Sequence, residues 1–370
     1  MKRQLHIFGM ILSSAVLWFG MSALGYTHKK ERSQKVFTAY LKDSVEVEVY
    51  LVYDEREVPL KYFSHIKSPV CEEGICYELI VDLHWDVLGH FLEYREEPKN
   101  PFTKFDHIRF SESDHQKLKS ILADKTSLLA NYDAEELVDT EIEIQSDIID
   151  AVTGATYQSL KGAVVPGAVY SSHTLWHIVN DNISDQIMEH TESVMNDPLL
   201  ISLLESKRYN LQLYALKKVD FKIDKYVPYV FRLISEGESY VPYFAIEKIP
   251  QEIWASTIYQ EKSIRLLEKV EFKLQNEILG KLQHNSISDS SLRLLTTKIN
   301  VLDKNQIEKV FQILYANKDK LTRNSIDEIA SLLSSDEILI STSAYDLLKK
   351  VGLQYKHIVI ELKEYKYKTK

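Results

Sequence analysis

The chain is 370 residues long, 45% hydrophobic and 27% charged, an ordinary globular composition with more length than one core usually serves. Its 45 Lys and Arg stand against 54 Asp and Glu, a formal net charge of −9. That balance excludes a nucleic-acid surface, which needs clustered cations to neutralise phosphates.

Lys2 and Arg3 precede an apolar run from Ile7 to Leu24, and the small residues Ala23 and Gly25 precede Tyr26. This is the order of a signal peptide over residues 1–25: basic n-region, apolar h-region, small-residue cleavage site. At roughly 18 apolar residues the run is also just long enough for an uncleaved membrane anchor, and both readings stand. Either way the body is expected to be exported, to a periplasm or cell envelope, with no contact with the membrane except through the leader.

Strand alternation runs from Val36 to Glu96. Val45, Val47, Val49 and Leu51 alternate with Glu46, Glu48 and Tyr50, and a run from Cys76 to Leu83 passes through Asp86-Val87-Leu88-Gly89 into Phe91 to Tyr94. These predict antiparallel strands, the last two forming a hairpin. The two cysteines, Cys71 and Cys76, frame Glu72-Glu73-Gly74-Ile75. In an oxidising compartment so close a pair closes a small loop as a structural disulfide; free thiols are the alternative, and the spacing is not the C-x-x-C of a redox pair. A helix is predicted after Ser111, whose hydroxyl caps it with Asp114 at the third helical position and Leu118, Ile121 and Leu122 as its buried stripe.

After Ser184 helical periodicity takes over. Similar fragments recur at Tyr214–Val219, Phe244–Ile249, Ile264–Val270 and Ala344–Val351, each with apolar residues three and four apart and basic residues near the end, where positive charge favours the helix dipole. A 30-residue interval between the first two suits stacked helix pairs. A HEAT-like α-solenoid and a non-repetitive bundle both fit. Tyr226, Tyr229, Phe231, Tyr240, Tyr243 and Phe244 are expected in its core, or in part along a groove. His357 to Leu362 alternates like a strand, and Lys363 to Lys370 reads as a frayed basic tail.

Between the strands and the array stands Asp150-Ala151-Val152-Thr153-Gly154-Ala155-Thr156-Tyr157-Gln158-Ser159. It resembles the D-x-x-[ST]-G-A-T signature of FMN-binding domains, found in flavin subunits of sodium-pumping and Rnf-type respiratory complexes. The resemblance spans roughly residues 76–180. It implies that a flavin transferase esterifies the FMN phosphate to the hydroxyl of Thr156, with Asp150, Thr153, Gly154 and Ala155 as recognition context and Ser159 in an assisting position. A weak nucleophile such as threonine needs enzymatic activation, and a helix beginning near Thr156 would aim free N–H groups at the phosphate. Where family members carry a Glu-Thr-Pro-Gly-like segment beside the ring, this chain reads Glu96-Glu97-Pro98-Lys99-Asn100-Pro101.

Other constellations are weaker. His173 and His177 are spaced i, i+4 but lack a third metal ligand, so no metal is expected; packing beside Trp176, or against a flavin ring, is the reading for them. Asp106-His107 and Asp114-His115 are adjacent pairs, and adjacent residues rarely face each other as acid and base need to. No catalytic residue is assigned.

The expected fold is an α+β domain over residues 36–195, built like an FMN-binding domain with an antiparallel sheet and helices. An all-α, HEAT-like repeat domain follows over 196–354, then a tail over 355–370. The expected function is covalent-flavin electron transfer rather than stand-alone catalysis, with the helical half docking an envelope redox or scaffold partner; a flavin-free scaffold is the alternative.

Overall fold

The computed structural model describes residues 32–41, 45–68, 79–104, 107–137 and 159–368. The leader, Cys71, Cys76, Asp106 and the segment from Asp150 to Thr156 lie outside them.

Five strands, β1 (Arg32–Tyr40), β2 (Glu46–Tyr53), β3 (Pro59–Ser68), β4 (Leu79–Trp85) and β5 (Phe91–Glu96), follow one another in a single antiparallel meander. Alternation sorts the faces. Leu51 sits opposite Tyr62 and Tyr62 opposite Trp85, while Ser64 pairs with Leu83 and Ile66 with Val81; all seven are buried. Helices cover that face: α2 (Val169–Asn180) receives the Trp85 indole N–H at the Val179 carbonyl, 2.9 Å away. In α3 (Asn182–Ser193), His190 and Thr191 both lie 2.8 Å from the Tyr62 hydroxyl, and burial pushes that phenol up to about 12. The sheet edge at β5 is flanked by α1 (Glu112–Ala123), which opens on the expected capping box of Ser111 and Asp114 and buries Leu118, Ile121 and Leu122.

The rest of the described chain is helical, in two layers. One layer contains α4 (Asp197–Glu205), α6 (Val227–Glu236), α9 (Thr257–Leu266), α11 (Asp289–Thr297), α13 (Arg323–Ser331) and α15 (Lys356–Lys368). The other contains α5 (Tyr209–Lys218), α7 (Val241–Lys248), α10 (Phe272–Gln283), α12 (Lys304–Ala316) and α14 (Ile338–Val351), with the short α8 (Gln251–Ala255) as a connector. Each helix packs on its sequence partner and on its counterparts in the same layer. Burial at i, i+1, i+4 and i+5, as at Leu199, Leu200, Leu203 and Leu204 or Ser325, Ile326, Ile329 and Ala330, gives each helix two apolar contacts, one for each kind of neighbour.

Polar side chains fasten successive pairs. The buried Gln260 donates to the carbonyls of Trp254, Ala255 and Ser286 and accepts from Ser288 N–H at 3.0 Å. Gln212 does the same one layer away, donating to Ser206 O at 2.6 Å and accepting from Glu238 N–H at 3.1 Å. One hydrophobic core runs from Ala39 to Leu362, joining sheet and array.

Two expectations need correction. His357–Leu362 is not a strand and Lys363–Lys368 is not frayed: both belong to α15, where Ile358 and Leu362, four apart, are buried and Ile360 faces out. In so short a window, period two and period four share half their positions. The third recurring fragment, Ile264–Val270, ends α9, in the opposite layer from Tyr214–Val219, Phe244–Ile249 and Ala344–Val351. The α9 fragment shares the apolar-then-lysine ending of the three second-layer fragments, so the ending alone did not identify the layer.

Candidate functional site

The Asp150–Thr156 segment is bracketed by two fully buried leucines, Leu137 and Leu160. Ser159 is exposed in a turn, and from there to Ala168 the chain turns without forming a helix; the next helix starts at Val169. Lys117, on α1, donates to the Lys161 carbonyl at 3.2 Å, and Val165 N–H donates to the Ser172 hydroxyl at 3.0 Å, fixing the segment's exit against the α1–α2 pair.

At Glu96–Pro101, where the resemblance places part of a ring pocket, the chain closes on itself. Glu97 bridges to Asn100, and the Glu96 carboxylate accepts from Phe102 N–H at 2.9 Å. Tyr94, Phe102, Phe110 and His115 then fill the space between β5 and α1: ring centres lie 5.2 Å apart for Tyr94 and Phe102 and 5.8 Å for Phe102 and Phe110, with the Tyr94 hydroxyl 2.7 Å from His115 Nδ1. These rings pack one another.

The remaining sequence candidates have structural partners. His173 Nε2 is 2.8 Å from Tyr132 O, and His177 bonds Leu129 O at 3.1 Å and Asp181 at 2.7 Å. Trp176 donates its indole N–H to Asp124 O at 2.8 Å. Together they seat the 3₁₀ turn Leu128–Asn131 on α2, and among the described residues no group of three metal-ligating side chains forms. His107 adopts a left-handed φ of 59°. Asp114 pairs with Lys104 at 2.8 Å; burial raises its pKa, but this ion pair and the hydrogen bonds from Ser111 outweigh it and hold the carboxyl at about 2.

The densest polar constellation went unseen in the sequence. At the β4–β5 hairpin, the Asp86 carboxylate, 3% exposed, accepts from Leu88 N–H at 2.8 Å and His90 N–H at 3.0 Å and pairs with Arg208 at 3.1 Å. Asn210 reaches the same carboxylate at 3.4 Å and His90 Nδ1 at 3.0 Å. Burial raises the Asp86 pKa, and the His90 hydrogen bonds and ring, with Arg208, more than reverse it, leaving the group below the ordinary carboxylate value. Beside it the Lys125 ammonium, with its pKa lowered by desolvation, donates to the Ser184 hydroxyl at 2.7 Å, which donates to Gly89 O at 2.8 Å.

A desolvated lysine on a serine hydroxyl has the composition of a nucleophile and its base. Here the hydroxyl is 1% exposed and committed to Gly89, so the pair works as a clasp. Gly89 has a φ of +73°, and a Cβ there would lie 2.4 Å from Ser184 O. The constellation ties the hairpin, the α1 loop, α3 and the α4–α5 loop into one joint. Comparisons with protein-family models, with curated proteins and with solved structures find no match, so geometry and chemistry carry the functional argument.

Proposed function

We propose that the chain is an exported docking scaffold, in which a HEAT-like array presents a surface to a partner protein and the sheet domain holds one end of that array in place. The observation that carries this reading is the stacking itself. Each helix spends two faces on its neighbours and leaves a third to solvent, so a long, rigid, repetitive surface is the main product of the fold. The test is residue-specific photo-crosslinking in the native envelope from outward positions on α5 to α14, followed by reconstitution with the purified crosslinked species. A saturable complex is expected; a chain that crosslinks to nothing from any outward position sinks the proposal. N-terminal sequencing of the envelope protein is expected to start near Tyr26, and an intact amino terminus at Met1 removes cleavage of the leader.

A second reading is favoured by the complete D-x-x-[ST]-G-A-T match at Asp150–Thr156. In it FMN is attached through its phosphate to Thr156 by a flavin transferase, and the scaffold positions a redox carrier; the protein supplies placement and the flavin the electron chemistry. The intact mass of protein made alongside a flavin transferase is expected to carry one FMN, lost in Thr156→Ala. An unmodified mass leaves the scaffold alone.

A further inference from the structure

The second layer of the array repeats one feature at the start of its helices. Tyr209 opens α5, Tyr240 immediately precedes α7, Phe272 opens α10 and Ile338 opens α14. Each is a large apolar side chain in the open, exposed to 55%, 80%, 51% and 75% respectively. Four of the five long helices of this layer begin in this way, so these side chains are grouped along one edge rather than scattered singly over the surface. None of these four helices has a side chain capping its first N–H groups, whereas α12, which lacks such a residue, is capped by Asp303.

Carboxylates accompany three of the four, the Glu271 carboxylate also accepting from the Tyr243 hydroxyl at 2.7 Å, whereas Tyr209 follows Lys207 and Arg208. Glu238 stands two residues before Tyr240, Glu271 precedes Phe272 and Glu337 precedes Ile338. Between the ends of α4 and α6 lies a cavity of about 500 Å³ lined by Glu205, Glu236 and Glu238 with Lys207, Arg232 and Gln212. Arg232 is already engaged, by Glu205 at 3.2 Å and Glu236 at 3.9 Å. Among the described residues the Glu238 carboxylate has no ion-pair partner.

We infer that this edge is a docking ridge for an extended, basic segment of a partner protein in which apolar and cationic residues alternate. The chemistry follows from the surface. The apolar residues cover the exposed Tyr, Phe and Ile, and the tyrosines also accept cations on their ring faces. Lysine or arginine side chains meet Glu236, Glu238, Glu271 and Glu337, and the carbonyls of an extended backbone satisfy the uncapped N–H groups of the helix starts. An acidic partner would meet like charge. This inference rests on the scaffold reading and adds the surface and the partner's chemistry.

The test measures fluorescence anisotropy of the full-length mature chain with three labelled synthetic peptides of equal length: alternating Arg and Val, alternating Arg and Ser, and alternating Glu and Val. The Arg–Val peptide is expected to bind, with affinity falling as salt rises. It should weaken about tenfold or more in the triple variant Tyr240→Ser, Phe272→Ser, Ile338→Ser, in keeping with a few anchors carrying most of an interface. It should also weaken in Glu236→Gln/Glu238→Gln, but not in Glu277→Gln/Glu308→Gln, which removes as much charge from α10 and α12 elsewhere. Unchanged thermal melts certify the variants. Equal binding of Arg–Ser, or equal loss in the α10 and α12 control, reduces the effect to general charge attraction and overturns the ridge. So does binding that survives the triple variant, binding of the Glu–Val peptide, or failure of all three peptides. A crosslinked partner mapping to another face of the array would overturn the ridge and leave the scaffold standing.

Discussion

Asp86 gives the sharpest test of how the two halves are joined. Asp86→Asn keeps an oxygen for the N–H groups of Leu88 and His90 but removes the charge facing Arg208 at 3.1 Å. A hydrogen bond to a charged group contributes about 1.5–3 kcal/mol. The Arg208 side chain is 37% exposed, so solvent screening brings the expected cost to about 1–2 kcal/mol. Asp86→Ala also strands two backbone donors and leaves Arg208 without its counter-charge, for about 3–5 kcal/mol. Urea denaturation followed by circular dichroism measures both, and a cycle with Arg208→Gln isolates the pair, with a coupling of about 1 kcal/mol. The sign with pH follows from the lowered carboxyl: its contribution is complete above the ordinary aspartate value and is lost as pH falls through the lower folded value. Asp86→Asn should therefore flatten the acid limb of the stability curve. A variant costing under about 0.5 kcal/mol, with no coupling to Arg208, would refute the joint and leave Asp86 as a turn residue only.

Three further outcomes are expected. Gly89→Ala combines a left-handed φ of +73° with a Cβ 2.4 Å from Ser184 O, and should cost about 2–4 kcal/mol; a melt within a degree of the parent would show that the hairpin can move away from α3. Gln260→Leu leaves Ser286 O and Ser288 N–H without the partner that holds them, about 2–4 kcal/mol, and amide exchange should quicken around α9 and α11 before it does in the sheet; uniform exchange rates would show no fastening role. Asp114, held at about 2 by Lys104 and Ser111 despite burial, stabilises the fold above about pH 4 by at most about 2 kcal/mol, lost as pH falls towards 2; Lys104→Met should remove most of that slope, and an unchanged slope counts against the pair.

How much of this could be read from sequence depended on how local the cause was. The β2 alternation was legible because α2 and α3 cover only one face of the sheet, so Val47, Val49 and Leu51 had to differ from Glu46 and Glu48. The α1 cap was legible because Ser111 and Asp114 exchange hydrogen bonds three residues apart. The array showed in its recurring helix ends, but its layers did not, since layer membership is set by which neighbours a helix meets. Of the aromatic set expected in the core, Tyr226 and Phe231 are buried there while Tyr240 is 80% exposed; position relative to the helix start decides this, and composition carries no trace of it. The joint at Asp86 was illegible for a simple reason. Its partners Arg208 and Asn210 lie more than a hundred residues away, and the hydrogen bonds that assemble it span 120 and 124 residues.

That distance also explains why a sheet and a helical array share one core. A stack of helix pairs has two ends, and each exposes an apolar face that in the middle would be covered by the next pair. At the far end α15 packs on α13 and α14, with Lys356, Ile360, Lys363 and Glu364 exposed. At the near end the sheet domain does the closing: α3 supplies Glu192 to Tyr214 and Lys218 of α5, and the hairpin supplies Asp86 to Arg208. The charged contacts at this end are therefore made by residues of the sheet domain, in the places where a preceding helix pair would otherwise sit. Any rotation between the sheet domain and the array must therefore first break the Asp86 joint, with its bonds to Leu88, His90, Arg208 and Asn210.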